Sequence, residues 1–364
     1  MSSMRVVHLS PIKFGAGGLF GGGERYSLEM ARFMADEVPT RLVTFAGESS
    51  KERVGALDII TLGRPYYFRG QKLNPLHWGI LEQIRWANVV HCHQQHILSS
   101  ALAAMIGRLG GRRVFVSDLG GAATDLAAHV PGINKLYHGF LHISQFSRKL
   151  AGQESEPRAR VIYGGVDLAK FSPSPDVPRE PVVVYVGRLL PHKGIDGLIS
   201  ALPEGLRLEL VGRPYDPHYF AKLQELAVGK DVAFRQDCDD PEVVRAYRRA
   251  VCVVLPSVYR DLNGTEYPNP ELLGQTLLEG MACGTPAICN DVASMPELVV
   301  QGETGFVVPP NDPAALRARL EWLRDHPAEV ESMGRAARQR VEREFSWPAV
   351  VHRCLEAYQE ALAR

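Results

Sequence analysis

The chain has 364 residues, 45% of them hydrophobic, with 41 Lys+Arg against 41 Asp+Glu and an isoelectric point near 7.2. That length exceeds one ordinary core and suits two α/β domains, while the charge balance gives no global sign of a nucleic-acid binder. The balance hides an asymmetry: residues 1–168 carry 19 basic and 13 acidic side chains, a net of +6, and residues 169–364 carry 22 and 28. An anionic partner, either a phosphorylated acceptor or a lipid surface, is one reading of the first-half excess; an ordinary solvated surface is the other.

The opening "MSSMRVVHLSPIKF" lacks a charged region followed by a long apolar run, and no stretch of about 18 apolar residues occurs anywhere, so no transmembrane segment is expected. Peripheral membrane contact stays open. Along the first half, "RVVHLS" reads as a strand, then comes the Gly-rich "FGAGGLFGGGER" (14–25), then a helix from about Glu24. "TRLVTFA", "DIITL", "ANVVHCH", "RRVFVSD" and "GFLHIS" read as further strands. The Pro-rich "LAKFSPSPDVPREP" (168–181) reads as a connector, and after it "VVVYVG", "LRLELVG", "VAFRQ", "VCVVLPS", "TPAICN" and "TGFVVPP" start a second α/β series. The closing "SWPAVVHRCLEAYQEALAR" is an amphipathic helix with Ser346 as its N-cap and Pro348 in its first turn. Expected domains are therefore 1–168, 169–345 and a terminal helix at 346–364. The six cysteines form no CxxC pair, which argues against disulfides and structural zinc and for a reducing, cytoplasmic setting.

Three stretches carry chemistry. The loop 14–25 packs six glycines between a strand and a helix, where a phosphate could approach the backbone; a flexible turn is the alternative. It fails G-x-G-x-x-G, and no GK[ST] is present. In "YVGRLLPHKG", Arg188 and Lys193 sit in one strand-to-helix connection, where a planar fork and a point charge can address one diphosphate; two solvated cations are the bland reading. In "NPELLGQTLLEGMACGTPA" (269–287), Glu271 is placed just before a helix and Glu279 two turns inside it, about 12 Å apart at 1.5 Å per residue. That span suits opposite ends of a nucleotide-sugar, with the amides of Leu272, Leu273, Gly274 and Gln275 facing the diphosphate between them. The bland readings are a charge favouring the helix start and a surface acid.

These segments together resemble the retaining nucleotide-sugar glycosyltransferases of family four (GT4), along almost the whole chain. "GGGERYSLEMARFM" is similar to the family's GG-x-E helix start and "ARVIYGGVDLAKFSP" to its N-G-V-D segment. "VGRLLPHKG" matches G-R-x(n)-K-G, and "ELLGQTLLEGMACGTPAI" the long E-x7-E signature. The resemblance implies an α/β chain of GT-B fold, with two Rossmann-like domains facing across a cleft and the terminal helix crossing back. The N-terminal domain would bind the acceptor and the C-terminal domain the donor. It implies that Arg188 and Lys193 hold the donor diphosphate, that Glu279 binds the ribose and Glu271 the sugar, and that Gly22 and Gly23 approach the donor from the first domain. The activity implied is retaining, metal-independent hexosyl transfer from a nucleotide-diphosphate sugar, UDP-linked first and GDP-linked second, with no further cofactor. The acceptor would be a hydroxyl on a small molecule, glycan or lipid-linked substrate. A GT-B sugar-nucleotide epimerase or hydrolase, and a non-catalytic binding protein, are the rival readings.

The chain departs from the family at three places. Asp118 stands where many members carry a His that meets the donor sugar, and takes that role by position alone; an ordinary loop carboxylate is the equal alternative. Gly164 replaces the Asn of N-G-V-D, and thirteen residues, "VYRDLNGTEYPNP" (258–270), intervene before Glu271. Two metal-like patterns are set aside: His91, His93 and His96 in "HCHQQH", because the third falls past the strand, and Asp237 and Asp239 in "DCDD", because the Lys/Arg pair takes the place of a metal.

Overall fold

The computed structural model describes residues 4–14, 22–120 and 132–364. Within them the chain divides into two compact units, residues 1–165 with 347–364, and residues 166–346.

Unit 1 runs β1 (Val6–Leu9), α1 (Gly22–Glu37), β2 (Thr40–Ala46), β3 (Ser50–Val54), β4 (Leu57–Gly63), the two-residue β5 (Tyr66–Tyr67) and β6 (Pro75–Leu76), α2 (Ile80–Trp86), β7 (Val89–His93), α3 (Leu98–Leu109), β8 (Arg113–Ser117), β9 (Gly139–His142), α4 (Gln145–Leu150) and β10 (Ala159–Val161). Its sheet has the order β10-β9-β8-β7-β1-β2-β4-β3, parallel except for the edge strand β3. Helices cover parallel strands on both faces, so such strands read as continuous apolar runs. β7 is accordingly buried at all five positions. Val7, Val43, Val90, Val114 and Phe140 form its central cluster.

Unit 2 runs β11 (Val182–Val186), α5 (Ile195–Ala201), β12 (Arg207–Val211), α6 (Pro217–Leu226), β13 (Val232–Arg235), α7 (Asp240–Arg249), β14 (Cys252–Leu255), α8 (Gln275–Ala282), β15 (Ala287–Asn290), β16 (Gly305–Val308), α9 (Pro313–Asp325) and α10 (Pro327–Glu344). The order β13-β12-β11-β14-β15-β16 is wholly parallel. It is the doubly wound arrangement 3-2-1-4-5-6, whose topological switch point lies between β11 and β14, and ligands bind such sheets at the carboxyl ends of the strands there. The last helix, α11 (Trp347–Ala363), returns to unit 1 and packs on α1 and β8. Trp347 fills the space above Gly165, where a Cβ would stand 2.3 Å from the indole, and meets Tyr26 edge-on. The strands expected in both series all form. β3 and β10, and the short β5 and β6, are additional. The boundary between units falls within "GGVD", and the Pro-rich 168–181 lies inside unit 2.

Candidate functional site

In unit 2 the connection after β11 is held from below. The buried Tyr185 hydroxyl donates to the Arg188 carbonyl at 2.8 Å, and the single turn Pro191–Lys193 closes with Lys193 N–H on the Leu190 carbonyl. Gly194 ends that turn at φ +62, with the Pro256 carbonyl 2.2 Å from where a Cβ would be. Only glycine joins a left-handed backbone to so close an approach. Val258 N–H donates to the His192 carbonyl at 2.9 Å, which ties this connection to the exit of β14. Lys193 thus projects from a turn fixed at both ends.

Its ammonium meets Glu271 at 2.5 Å, with the two side chains 12% and 17% exposed. Glu271 holds its own place: its second carboxylate oxygen accepts the Gly274 N–H at 3.3 Å, and its carbonyl accepts the Ser294 hydroxyl at 3.2 Å. Arg188 is exposed, lies 5.9 Å above the Tyr215 ring, and makes no ion pair among the described residues. Glu279 is buried inside α8, where it accepts a hydrogen bond from Tyr247 at 3.2 Å. His192 is pushed down to about 4 by burial and by the neighbouring Lys193, so the ring is neutral at pH 7.

The helix start differs from expectation. α8 begins at Gln275 with Gly274 as its cap at φ +86, so Leu272, Leu273 and Gly274 precede the helix, and the Gly274 amide is already given to Glu271. Glu279 therefore lies one turn inside α8, and the helical span of about 12 Å does not apply to a segment whose first half is not helical. The cause is local: a left-handed Gly274 and a carboxylate three residues before it stop the helix short of Glu271.

The 258–270 insertion is ordered. Buried Asp261 accepts from the amides of Asn263 and Thr265 and from the Tyr267 hydroxyl, and the Tyr267 ring packs 5.0 Å from His192. The "D-x-N-G-T" run, with an Asp that can bond the amides two and four residues on, was the available signal. The acids of "DCDD" are engaged separately: Asp237 pairs with Arg213 at 3.3 Å, while Asp239 caps α7 by accepting the Glu242 amide at 2.9 Å.

In unit 1, Asp118 follows the last residue of β8. It accepts from Gln94 at 3.2 Å and the Gly120 amide at 3.0 Å, and faces His96 at 3.6 Å. Gly22 and Gly23 open α1, and most of the glycine loop before them (15–21) lies outside the described residues. His91 and His93 do share a strand face, but their companion is His8 of β1 rather than His96; all three are buried, and their ring nitrogens lie within 4.8 Å of one another. The Ser117 hydroxyl donates to the Leu141 carbonyl, so His91 Nε2 donates to Ser117 and His91 Nδ1 accepts from Tyr358 at 2.7 Å. His8 Nδ1 and His93 Nε2 bond each other at 2.8 Å. Burial drives all three rings to the neutral form.

Residues 169–340 match the family model described as glycosyl transferases group 1. Among curated proteins, the glycogen synthase of Mycobacterium tuberculosis (strain ATCC 25618 / H37Rv) is 30% identical over 210 residues, covering 55% of this chain and 48% of that protein. The D-inositol 3-phosphate glycosyltransferase of Corynebacterium efficiens is 31% identical over 229 residues, 56% and 51% of the two chains. The chain spans about half the length of these relatives. Among solved structures, sucrose-phosphate synthase from Thermosynechococcus elongatus superposes with a TM-score of 0.72 at 21% identity over 99% of both chains. Anabaena Alr3699/HepE in complex with UDP and glucose gives 0.74 at 20% identity, over 98% of this chain and 100% of that one. These likenesses establish the GT-B fold.

Proposed function

We propose, from the premise that residues 169–340 belong to the group 1 glycosyl transferases, that the chain is a retaining, metal-independent hexosyltransferase. It moves a sugar from a nucleotide-diphosphate sugar, UDP-linked first and GDP-linked second, to a hydroxyl acceptor. The observation that carries the reading is the Lys193–Glu271 pair at the switch point of the unit 2 sheet, with Arg188, which makes no ion pair among the described residues, in the same connection. A diphosphate seated there takes charge-assisted bonds from Lys193 and Arg188, the sugar lies against Glu271, and the ribose hydroxyls donate to Glu279.

The bond from the anomeric carbon to the diphosphate oxygen breaks with its electron pair leaving on oxygen. Negative charge grows on the leaving group where Lys193 and Arg188 already stand, which is preorganised electrostatic stabilisation. The acceptor hydroxyl attacks the same face, its proton passes to the departing phosphate oxygen, and configuration is retained without a strong general base. Unit 1 binds the acceptor, with Asp118 taking a hydroxyl hydrogen bond there. The six cysteines, all unpaired, favour a cytoplasmic setting. No helix among the described residues is long and apolar enough to cross a membrane.

The test is a donor and acceptor panel with the purified chain, run with and without EDTA, beside Lys193→Ala. Transfer that survives EDTA and falls by roughly 2–4 kcal/mol of barrier in the variant is expected. Wild-type kcat/KM in Lys193→Ala, or loss in EDTA restored by Mn²⁺, overturns the reading. Equal alteration of the sugar nucleotide without acceptor indicates an epimerase or hydrolase.

A further inference from the structure

Unit 1 contains a cavity of about 340 Å³ that the transfer reaction does not use. It opens at the N-terminal ends of β8, β9 and β10, beside the last turns of α3 and α11. Asp118 follows the opposite end of β8, five residues and about 17 Å away along the strand. The cavity's volume falls within the range of small-molecule sites.

Cations dominate its lining. Arg158 is held by Glu156 at 2.8 Å and Arg160 by Glu360, which leaves Arg108, Arg113, Lys135 and Arg364 with no ion pair among the described residues. Among the described residues Arg108 donates to the Lys135 carbonyl. The contact between Arg113 and His138 is the sharper observation. The Val114 amide donates to His138 Nδ1 at 3.0 Å, so Nδ1 carries the lone pair and the proton of the neutral ring sits on Nε2. That Nε2–H faces the Arg113 guanidinium at 3.4 Å. Two donors therefore meet, and an oxygen able to accept from both would complete them. The surplus positive field is also felt by His138, which burial, followed by Arg108 and Arg113, pushes down to about 4. Apolar surface from Phe115, Pro157 and Ala357 forms the rest of the wall.

We propose that this cavity is a second ligand site, which binds a phosphomonoester. The dianionic head is held by Arg108, Arg113 and Lys135 and accepts from His138 Nε2, while the organic body lies on Phe115 and Pro157. Six lining cations, Arg364 among them, against Glu156 and Glu360 leave a surplus of four positive charges, half of which a dianion neutralises. A phosphomonoester also offers three terminal oxygens to these converging donors, one more than a carboxylate. The head can come from a free metabolite or from a lipid headgroup, and the chemistry of recognition is the same.

The full chain is titrated calorimetrically with inorganic phosphate, glycerol 3-phosphate and uncharged glycerol. It is also floated with phosphatidylcholine vesicles with and without phosphatidic acid. Phosphate suits Lys193 as well, so Lys193→Ala is run beside the wild type. Saturable binding of glycerol 3-phosphate, or flotation dependent on phosphatidic acid, is expected in both chains; the first outcome assigns a free phosphate and the second a headgroup. Arg113→Gln/Lys135→Gln should lose at least about tenfold in affinity, as expected when charge-assisted bonds are removed. The exposed single change Lys135→Gln, which no fold contact depends on, should lose a measurable part of that. Absence of saturable binding to every phosphate probe, or unchanged affinity in Lys135→Gln and in a folded double variant, overturns the proposal.

Discussion

Glu271→Gln separates the two demands made on Lys193. In the unliganded chain the ammonium is shared with Glu271 at 2.5 Å, and in the proposed complex it also holds a diphosphate oxygen. With a charge-assisted bond of about 2.8 Å and a tetrahedral angle at nitrogen, carboxylate and phosphate oxygens stand about 4.3 Å apart. Two unit charges at that distance repel by about 4 kcal/mol at an effective dielectric of 20. Both side chains keep some contact with solvent, at 12% and 17% exposure, and the ammonium lies between the two anions, so roughly 1 kcal/mol of that survives. Glutamine removes the charge and keeps an oxygen for the Gly274 amide, so the start of α8 stays as it is. UDP should therefore bind Glu271→Gln about fivefold more tightly than wild type, while transfer falls by at least about tenfold because the sugar has lost its carboxylate. Calorimetric titration of UDP and initial rates with the best donor read the two effects. Weaker or unchanged UDP binding in the variant would refute the sharing of Lys193 between carboxylate and diphosphate.

Glu279→Gln should reduce preference for UDP over 2′-deoxy-UDP, which the wild type is expected to show at about tenfold, because a ribose hydroxyl donates to this buried carboxylate; equal discrimination in both chains places the ribose elsewhere. Gly194→Ala must adopt φ +62 with a Cβ 2.2 Å from the Pro256 carbonyl, and should lose at least about 2 kcal/mol in urea unfolding; a loss below half of that means the turn relaxes freely. The pH prediction concerns His8, whose folded pKa of about 3 lies below the unfolded value of 6.5. Its neutral form contributes stability fully above 6.5, and that stability falls as pH drops from 6.5 towards 3, by about 2 kcal/mol at pH 5. His91 and His93 shift in the same direction. Urea unfolding at pH 7 and 5 should show a smaller acid loss in His8→Gln than in wild type, and identical losses would show that His8 is not the group taking up the proton.

What could be read in the sequence and what could not divides along a physical line. Strands such as β7, β11 and β14 are buried on both faces and announce themselves as apolar runs. β3, "SKERV", is an exposed antiparallel edge whose charges guard against pairing with other chains, and those same charges conceal it. Arg188, Lys193, Glu271 and Glu279 were legible as residue types at given spacings. The bond between Lys193 and Glu271 was not, since 78 residues separate partners joined only by the closing of β11 and β14. The position of Glu271 outside α8 depends on the positive φ of Gly274, which a glycine permits but does not declare. His91 and His93 showed their common face through the strand period of two, yet their third member had to be found by register, where His8 of β1 stands beside His91. The basic cavity is the extreme case. Five of its six cations, Arg108, Arg113, Lys135, Arg158 and Arg160, are spread over α3, β8, β10 and the turns between them, and their trace in the sequence is a first half with six more cations than anions. Local order leaves a local pattern, whereas a site assembled from strand ends leaves only a charge surplus, and that surplus becomes a site once parallel pairing brings the N-terminal ends of β8, β9 and β10 together.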